Sequence, residues 1–233
     1  MHSRGAALVL LGLLMAILAA QLGRIGMALL LWTAAAFILV GLAYLINHRG
    51  IFGKRPNGAL SAPHVLLLAP FLALTWAIWH ASRSLSREPP ISALSPQLRL
   101  ARRLLAHELP PDIDLVVDLT SEFPTRLRPP HYLNLRILDG GVPDPAELRR
   151  VLDSVPRTGT ILIHCAQGHG RTALFTACLL VERDGLTADA AVSAILSVRP
   201  LARMSRHQRA FLAAHAAARS TSRPAIDAPA SRG

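Results

Sequence analysis

The first 87 residues contain no aspartate or glutamate; all 14 acidic residues lie from Glu88 onward. Lysine is almost missing as well, since Lys54 is the only one among 25 basic residues. A Walker-A nucleotide site, a protein-kinase site and Schiff-base chemistry each need a lysine in a defined pocket. Residues 81–233 offer none, which excludes these classes there. The two cysteines, Cys165 and Cys178, make neither a disulfide framework nor a CxxC zinc pattern. Aromatic residues are only 5% of a chain that is 52% hydrophobic, with a mean hydropathy of +0.37. That balance argues against a wholly soluble protein. The net charge of +11 comes mostly from arginine. Beside so much apolar sequence it points to an anionic membrane surface, and no nucleic-acid partner is expected.

The apolar residues are concentrated in 1–80, which reads as a membrane region with spans at about 6–22, 25–46 and 59–80. A run of about 20 apolar residues at 1.5 Å each crosses a hydrocarbon core of about 30 Å. Gly23 and Arg24 separate the first two runs as a tight helical hairpin. A cleaved signal peptide is the other reading of 6–22, but a second apolar run follows at once. Residues 47–58 form a basic loop with turn residues. The third run contains Pro63, His64 and Pro70 and ends near Trp76 and Trp79, so it either spans with a kink or lies in the interface. Two or three transmembrane helices are therefore expected. With three, Arg24, Arg83, Arg87, Arg99, Arg102 and Arg103 face one side, and Arg4, Arg49, Lys54 and Arg55 the other. The positive-inside rule then makes this an integral membrane protein with its C-terminal half in the cytoplasm.

Residues 81–91 read as a Ser/Pro-rich linker, 92–218 as a catalytic domain and 219–233 as a disordered tail. Within the domain, 114–119 and 132–138 read as strands and 160–164 as a short buried strand. Asp144 caps a helix through Val155, with Pro145 at its first position. Further helices run over 171–184, from Thr187 to Arg199-Pro200, and over 205–219. Strands alternating with helices imply an α/β fold with a largely parallel central sheet flanked by helices.

The chemistry lies at one strand-to-helix junction, His164-Cys165-Ala166-Gln167-Gly168-His169-Gly170-Arg171-Thr172. A cysteine ends a strand, five residues form a loop, and an arginine starts a helix. Amides of such a loop, together with the helix N-terminus, cradle an oxyanion. Gly168 and Gly170 permit the curvature. Arg171 can grip two phosphate oxygens. The same positive field favours a Cys165 thiolate, and Thr172 can hydrogen-bond the sulfur. His164 orients the loop rather than acting as a base, and His169 faces solvent or adds charge at the rim. No metal or other cofactor is expected. Cys178, mid-helix on an apolar face, reads as core packing, with a resolving thiol as the alternative. Arg99, Arg102 and Arg103 read as a solvated face or as contacts to lipid headgroups.

HCAQGHGRT resembles the H-C-x5-R-S/T signature of the cysteine-dependent protein-tyrosine-phosphatase superfamily. DLVVDLTSEFP at 114–124 is similar to an early strand of its dual-specificity branch, and LDGGVPDP at 138–145 to the acid loop of compact and PRL-like members. The resemblance implies a compact dual-specificity-phosphatase-like domain and a phosphocysteine mechanism. It implies phosphate binding by residues 166–171 and a general acid at Asp139, 26 residues before Cys165. Asp144 is the substitute acid, and Gln208 resembles the glutamine placed near the attacking water. The implied substrates are phosphotyrosine, phosphoserine or phosphothreonine proteins. A phospholipid or phosphoinositide phosphatase is the alternative, and a non-catalytic phosphate-binding membrane scaffold the further one.

Overall fold

The computed structural model describes residues 2–222. Three helices come first: α1 (His2–Ala19), α2 (Arg24–Leu45) and α3 (Ala62–Leu85). α1 and α2 form an antiparallel hairpin whose close approach depends on small residues. A Cβ on Gly41 would lie 2.8 Å from the Gly5 carbonyl oxygen, and one on Gly12 would lie 2.8 Å from that of Ala34. Away from this seam the hairpin exposes aliphatic side chains, among them Leu10, Ile17 and Ile25. α2 and α3 are long and apolar enough to cross a membrane by length and composition, and α1 is a shorter apolar helix.

The α/β domain is built on five strands: β1 (Ile91–Ala93), β2 (Leu98–Arg102), β3 (Leu115–Thr120), β4 (His131–Ile137) and β5 (Ile161–Cys165). Their order is β1-β2-β5-β3-β4, and only β1 is antiparallel to its neighbour. β3 and β5 are buried along their whole length, as parallel strands covered on both faces are. Four helices follow: α4 (Pro145–Ser154), α5 (Gly170–Asp184), α6 (Ala188–Val198) and α7 (Arg206–Ser222). Asp144 caps α4 through the amides of Ala146 and Glu147, and Thr187 caps α6. Val117, Ile163, Leu174 and Phe175 sit in the main core. The alternating pattern read from 114–219 is therefore present, with ends shifted by a few residues. α7 runs to Ser222, so the first residues of the expected disordered tail are helical; 223–233 lie outside the described residues.

Several expectations need correcting. Arg99 and Arg102 lie in β2, and the segment read as a linker ends on the first residue of β1. Arg99 pairs with Asp112, and Arg102 lies 2.9 Å from Glu108. The Arg103 guanidinium sits 4.8 Å from the ring centre of Trp79 and 5.1 Å from that of Phe123. These three arginines thus serve partners within the fold, not lipid headgroups. The segment 81–91 is not a free linker either. α3 continues to Leu85, and the half-buried Glu88 pairs with Arg199 and His169.

The largest correction concerns Lys54 and its loop. Lys54 is buried in the α/β domain, with Nζ 2.7 Å from Asp118 Oδ2 and 2.9 Å from both Thr120 oxygens. Thr125 N donates to Gly58 O in the same loop. At the other end of α3, Trp76 donates to Glu122 O, Trp79 to Ala166 O, and Arg83 pairs with Glu108. Both ends of α3 are therefore tied to the α/β domain, and the helix runs alongside it. A third span would carry loop 47–58 across a membrane from the domain it is bonded to.

Burial opposes ionisation of Asp118, but the ammonium of Lys54 outweighs it and holds the carboxyl below the usual carboxylate range. A depressed acid stabilises the fold at neutral pH, and that contribution is lost as pH falls below the ordinary aspartate range. Lys54→Met leaves Asp118 buried without its counter-ion and should cost about 3–5 kcal/mol. Chemical denaturation of the full chain measures this. An unchanged unfolding midpoint at pH 7 would show that loop 47–58 is not integral to the domain.

Candidate active site

β5 ends at Cys165, and α5 begins five residues later. The loop between them is shaped by where its carbonyls go. Ala166 O accepts from Trp79 Nε1 at 3.0 Å and from Arg103 N at 3.1 Å. Gln167 O and Gly168 O both accept from the buried Arg199, at 3.2 and 2.8 Å. In a planar trans peptide the carbonyl and the next amide point opposite ways. Three carbonyls held outward therefore turn the amides of Gln167, Gly168 and His169 inward, an arrangement that suits an anion beside Cys165. Gly168 has φ +72°, and a Cβ on it would meet Ala101 O at 2.6 Å, so only glycine fits.

Arg171 is buried at the start of α5, where it meets Glu122 in a two-pronged ion pair with both N···O distances 2.9 Å; Nη1 also donates to Ile137 O. Burial works against its charge, but Glu122 outweighs that and keeps the guanidinium protonated. Asp139, just after β4, places Oδ1 3.7 Å from Arg171 Nη2. Asp144 is taken up by capping α4, as expected. These groups surround a cleft of about 610 Å³ lined by Cys165, residues 166 and 167, His169, Gly170, Arg171, Asp139, Ser205 and Gln208. The helical region completes the lining with Arg4, Tyr44, Phe71, Thr75, Ile78 and Trp79.

Other expected residues fall differently. Thr172 Oγ1 is buried without a hydrogen-bond partner, so the expected bond to the sulfur is not made. Gln208 accepts from Ser205 N and donates to Gly141 O, each at 2.9 Å. It thus closes a capping box on α7 and ties down the acid loop. His164 is buried and burial lowers its pKa, which keeps the ring neutral and fits an orienting role. His169 lies 2.7 Å from Glu88, so it is a paired rim residue and not a solvent-facing one. Cys178 is fully buried and its thiol is pushed up to about 12, first by burial, which favours core packing over a resolving thiol.

Sequence reasoning missed Glu122, Arg199, Glu88 and Arg4 as parts of the site. The signals were present: a glutamate closing a buried strand in TSEFP, and an arginine between apolar residues in SVRP. Both imply a buried charge that needs a partner.

The family model described as the DSP-PTPase phosphatase domain of the Swiss Army Knife proteins matches residues 102–222. The match takes in more than half of the chain, and the chain belongs to this family. Solved structures with the same fold include a single-residue variant of human DUSP28, 20% identical over 57% of this chain and 98% of that one, with a TM-score of 0.50. A mouse dual specificity phosphatase complexed with zinc tungstate is 20% identical over 58% and 92%, with a TM-score of 0.51. Tk-PTP in its active form is 22% identical over 55% and 97%, with a TM-score of 0.50. At such identities the likeness is one of fold.

Glu122→Gln should weaken tungstate or phosphate binding by about tenfold, because Arg171 loses the partner that fixes its plane. Calorimetric titration of the two proteins tests this. Equal anion affinity would mean that Arg171 keeps its position without the carboxylate.

Proposed function

We propose that this member of the dual-specificity-type family is a membrane-anchored phosphatase that hydrolyses phosphomonoesters through a phosphocysteine, with a phosphorylated lipid as substrate. The observation carrying the substrate class is the shared cleft. The loop after Cys165 lines it together with residues of the helical region, among them Tyr44 of α2 and Phe71, Ile78 and Trp79 of α3. Ile78 and Leu201, both in the lining, are more than half exposed, so an aliphatic tail could leave the cleft over apolar surface. A phosphorylated protein side chain is the second reading, supported by the dual-specificity type of the family.

In the first step the Cys165 sulfur attacks phosphorus, the P–O bond to the leaving group breaks, and Asp139 gives its proton to the departing oxygen. In the second, water attacks the phosphocysteine, Asp139 takes its proton, and phosphate leaves as the thiolate is restored. Arg171 and the inward amides hold the equatorial oxygens in both steps.

Membrane insertion by the α1–α2 hairpin fits the lengths. Its 18 and 22 residues reach about 27 and 33 Å at 1.5 Å per residue, against a core of about 30 Å. Only Arg24 lies at the hairpin tip. Arg4, Arg49 and Lys54, earlier placed opposite the catalytic half, are bonded to it. Basic residues on the side of the catalytic domain, against Arg24 alone at the tip, support a cytoplasmic catalytic domain.

Cys165→Ser should abolish turnover yet retain phosphate binding. Asp139→Asn should slow poor leaving groups by about 10²–10⁴-fold and activated aryl phosphates much less. Turnover by Cys165→Ser would sink the thiol mechanism. A panel of phospholipids in mixed micelles and phosphopeptides separates the two substrate classes. Preference for peptides would overturn the lipid reading and leave the mechanism standing.

A further inference from the structure

The loop that carries Asp139 is held from the helical region as well as from the α/β domain. Leu138, the residue before Asp139, is fully buried in a cluster with Val40, Tyr44, Phe52, Leu68 and Leu72 rather than in the core of the α/β domain. Arg4 of α1 donates to Asp139 twice, to Oδ2 at 2.6 Å and to its carbonyl oxygen at 3.2 Å. Asn47 and Arg49, just past α2, both donate to Val142 O, and Arg49 lies 3.7 Å from Asp144. The α/β domain holds the other edge, with Ser205 Oγ on Gly140 O and Gln208 on Gly141 O. The loop is thus clamped between two bodies, and Asp139 itself is bonded to the hairpin.

The two carboxylate oxygens have different neighbours. Oδ2 is taken by Arg4, while Oδ1 faces Arg171 at 3.7 Å. An arginine that bonds both the backbone and one oxygen of the same residue restricts that residue's rotamer and leaves the other oxygen to carry the transferred proton. Gly140, at φ +72°, leaves room for this grip: a Cβ there would lie 2.9 Å from Arg4 Nη1.

We propose that Arg4 is a positioning residue, through which the α1–α2 hairpin sets the geometry of the general acid and thereby makes leaving-group protonation depend on the packing of the hairpin. The proposal rests on Asp139 being the acid. Misplacing a catalytic group by about 1 Å can cost up to about a hundredfold in rate. Arg4→Ala should therefore lower kcat about ten- to a hundredfold for alkyl phosphates, with little change for an activated aryl phosphate. Arg4→Lys should recover only part of the loss, because one ammonium cannot reproduce the grip.

The test compares full-length wild type, Arg4→Ala, Arg4→Lys, Asp139→Asn and the double variant Arg4→Ala/Asp139→Asn in detergent micelles. Aryl and alkyl phosphates of graded leaving-group pKa serve as substrates. Arg4 and Asp139 are both more than half exposed, so the fold does not rest on their bond. The expected result is a steeper dependence on leaving-group pKa in Arg4→Ala, and a double variant no slower than Asp139→Asn alone. Equal loss on all substrates, or a double variant slower than Asp139→Asn by the full Arg4→Ala factor, would overturn the proposal. If Asp139→Asn itself has the wild-type leaving-group dependence, the acid assignment fails first. In that case Leu138→Ala still reports on the clamp: unchanged kcat on every substrate would show that the helical region does not act on this loop.

Discussion

The site depends on three carbonyl oxygens being held away from it. Ala166, Gln167 and Gly168 give their oxygens to Trp79, Arg103 and Arg199. Without those donors the loop would have no reason to keep its amides turned inward, and a buried carbonyl left unpaired would cost free energy. Arg199 is itself buried and is held by Glu88 and Ser92, so the cradle is braced from β1 and the segment before it. Arg171 is fixed in the same way by Glu122. The loop and Arg171 are thus both held by groups from other parts of the fold.

Charge asymmetry along the chain has a structural meaning. Residues 1–87 lack acids, so any ion pair their cations form must reach into the later sequence. Arg4, Arg49, Lys54 and Arg83 do so, with Asp139, Asp144, Asp118 and Glu108. Lys54–Asp118 is fully buried and the others are more open, so the buried pair is the one whose loss matters most. What looks in composition like two unrelated regions is one set of complementary charges. Leu138 adds an apolar link in the reverse direction, from the α/β domain into the helical cluster.

Local features were legible because they depend on near neighbours. A short apolar run between prolines marked β3, alternation marked β4, Asp144-Pro145 marked the start of α4, and HCAQGHGRT marked a strand, a loop and a helix at once. The strand β2 was hidden because Leu98–Arg102 carries two arginines whose partners, Asp112 and Glu108, lie further along the chain. α3 had the composition of a span, and hydropathy alone does not distinguish crossing a membrane from lying against a domain.

The sequence by itself brought the candidate site together: Cys165, the glycine-bearing loop and Arg171 lie within seven residues, so chain connectivity alone places them side by side. It also determined that the first 80 residues carry long apolar helices, since length and composition suffice for that. Only the tertiary structure decided that those helices wall the cleft, that Glu122 and Arg199 hold the cradle, and that Arg4 bonds Asp139 across 135 positions. Contacts at that separation depend on how packed elements meet, and neither periodicity nor spacing encodes the meeting point.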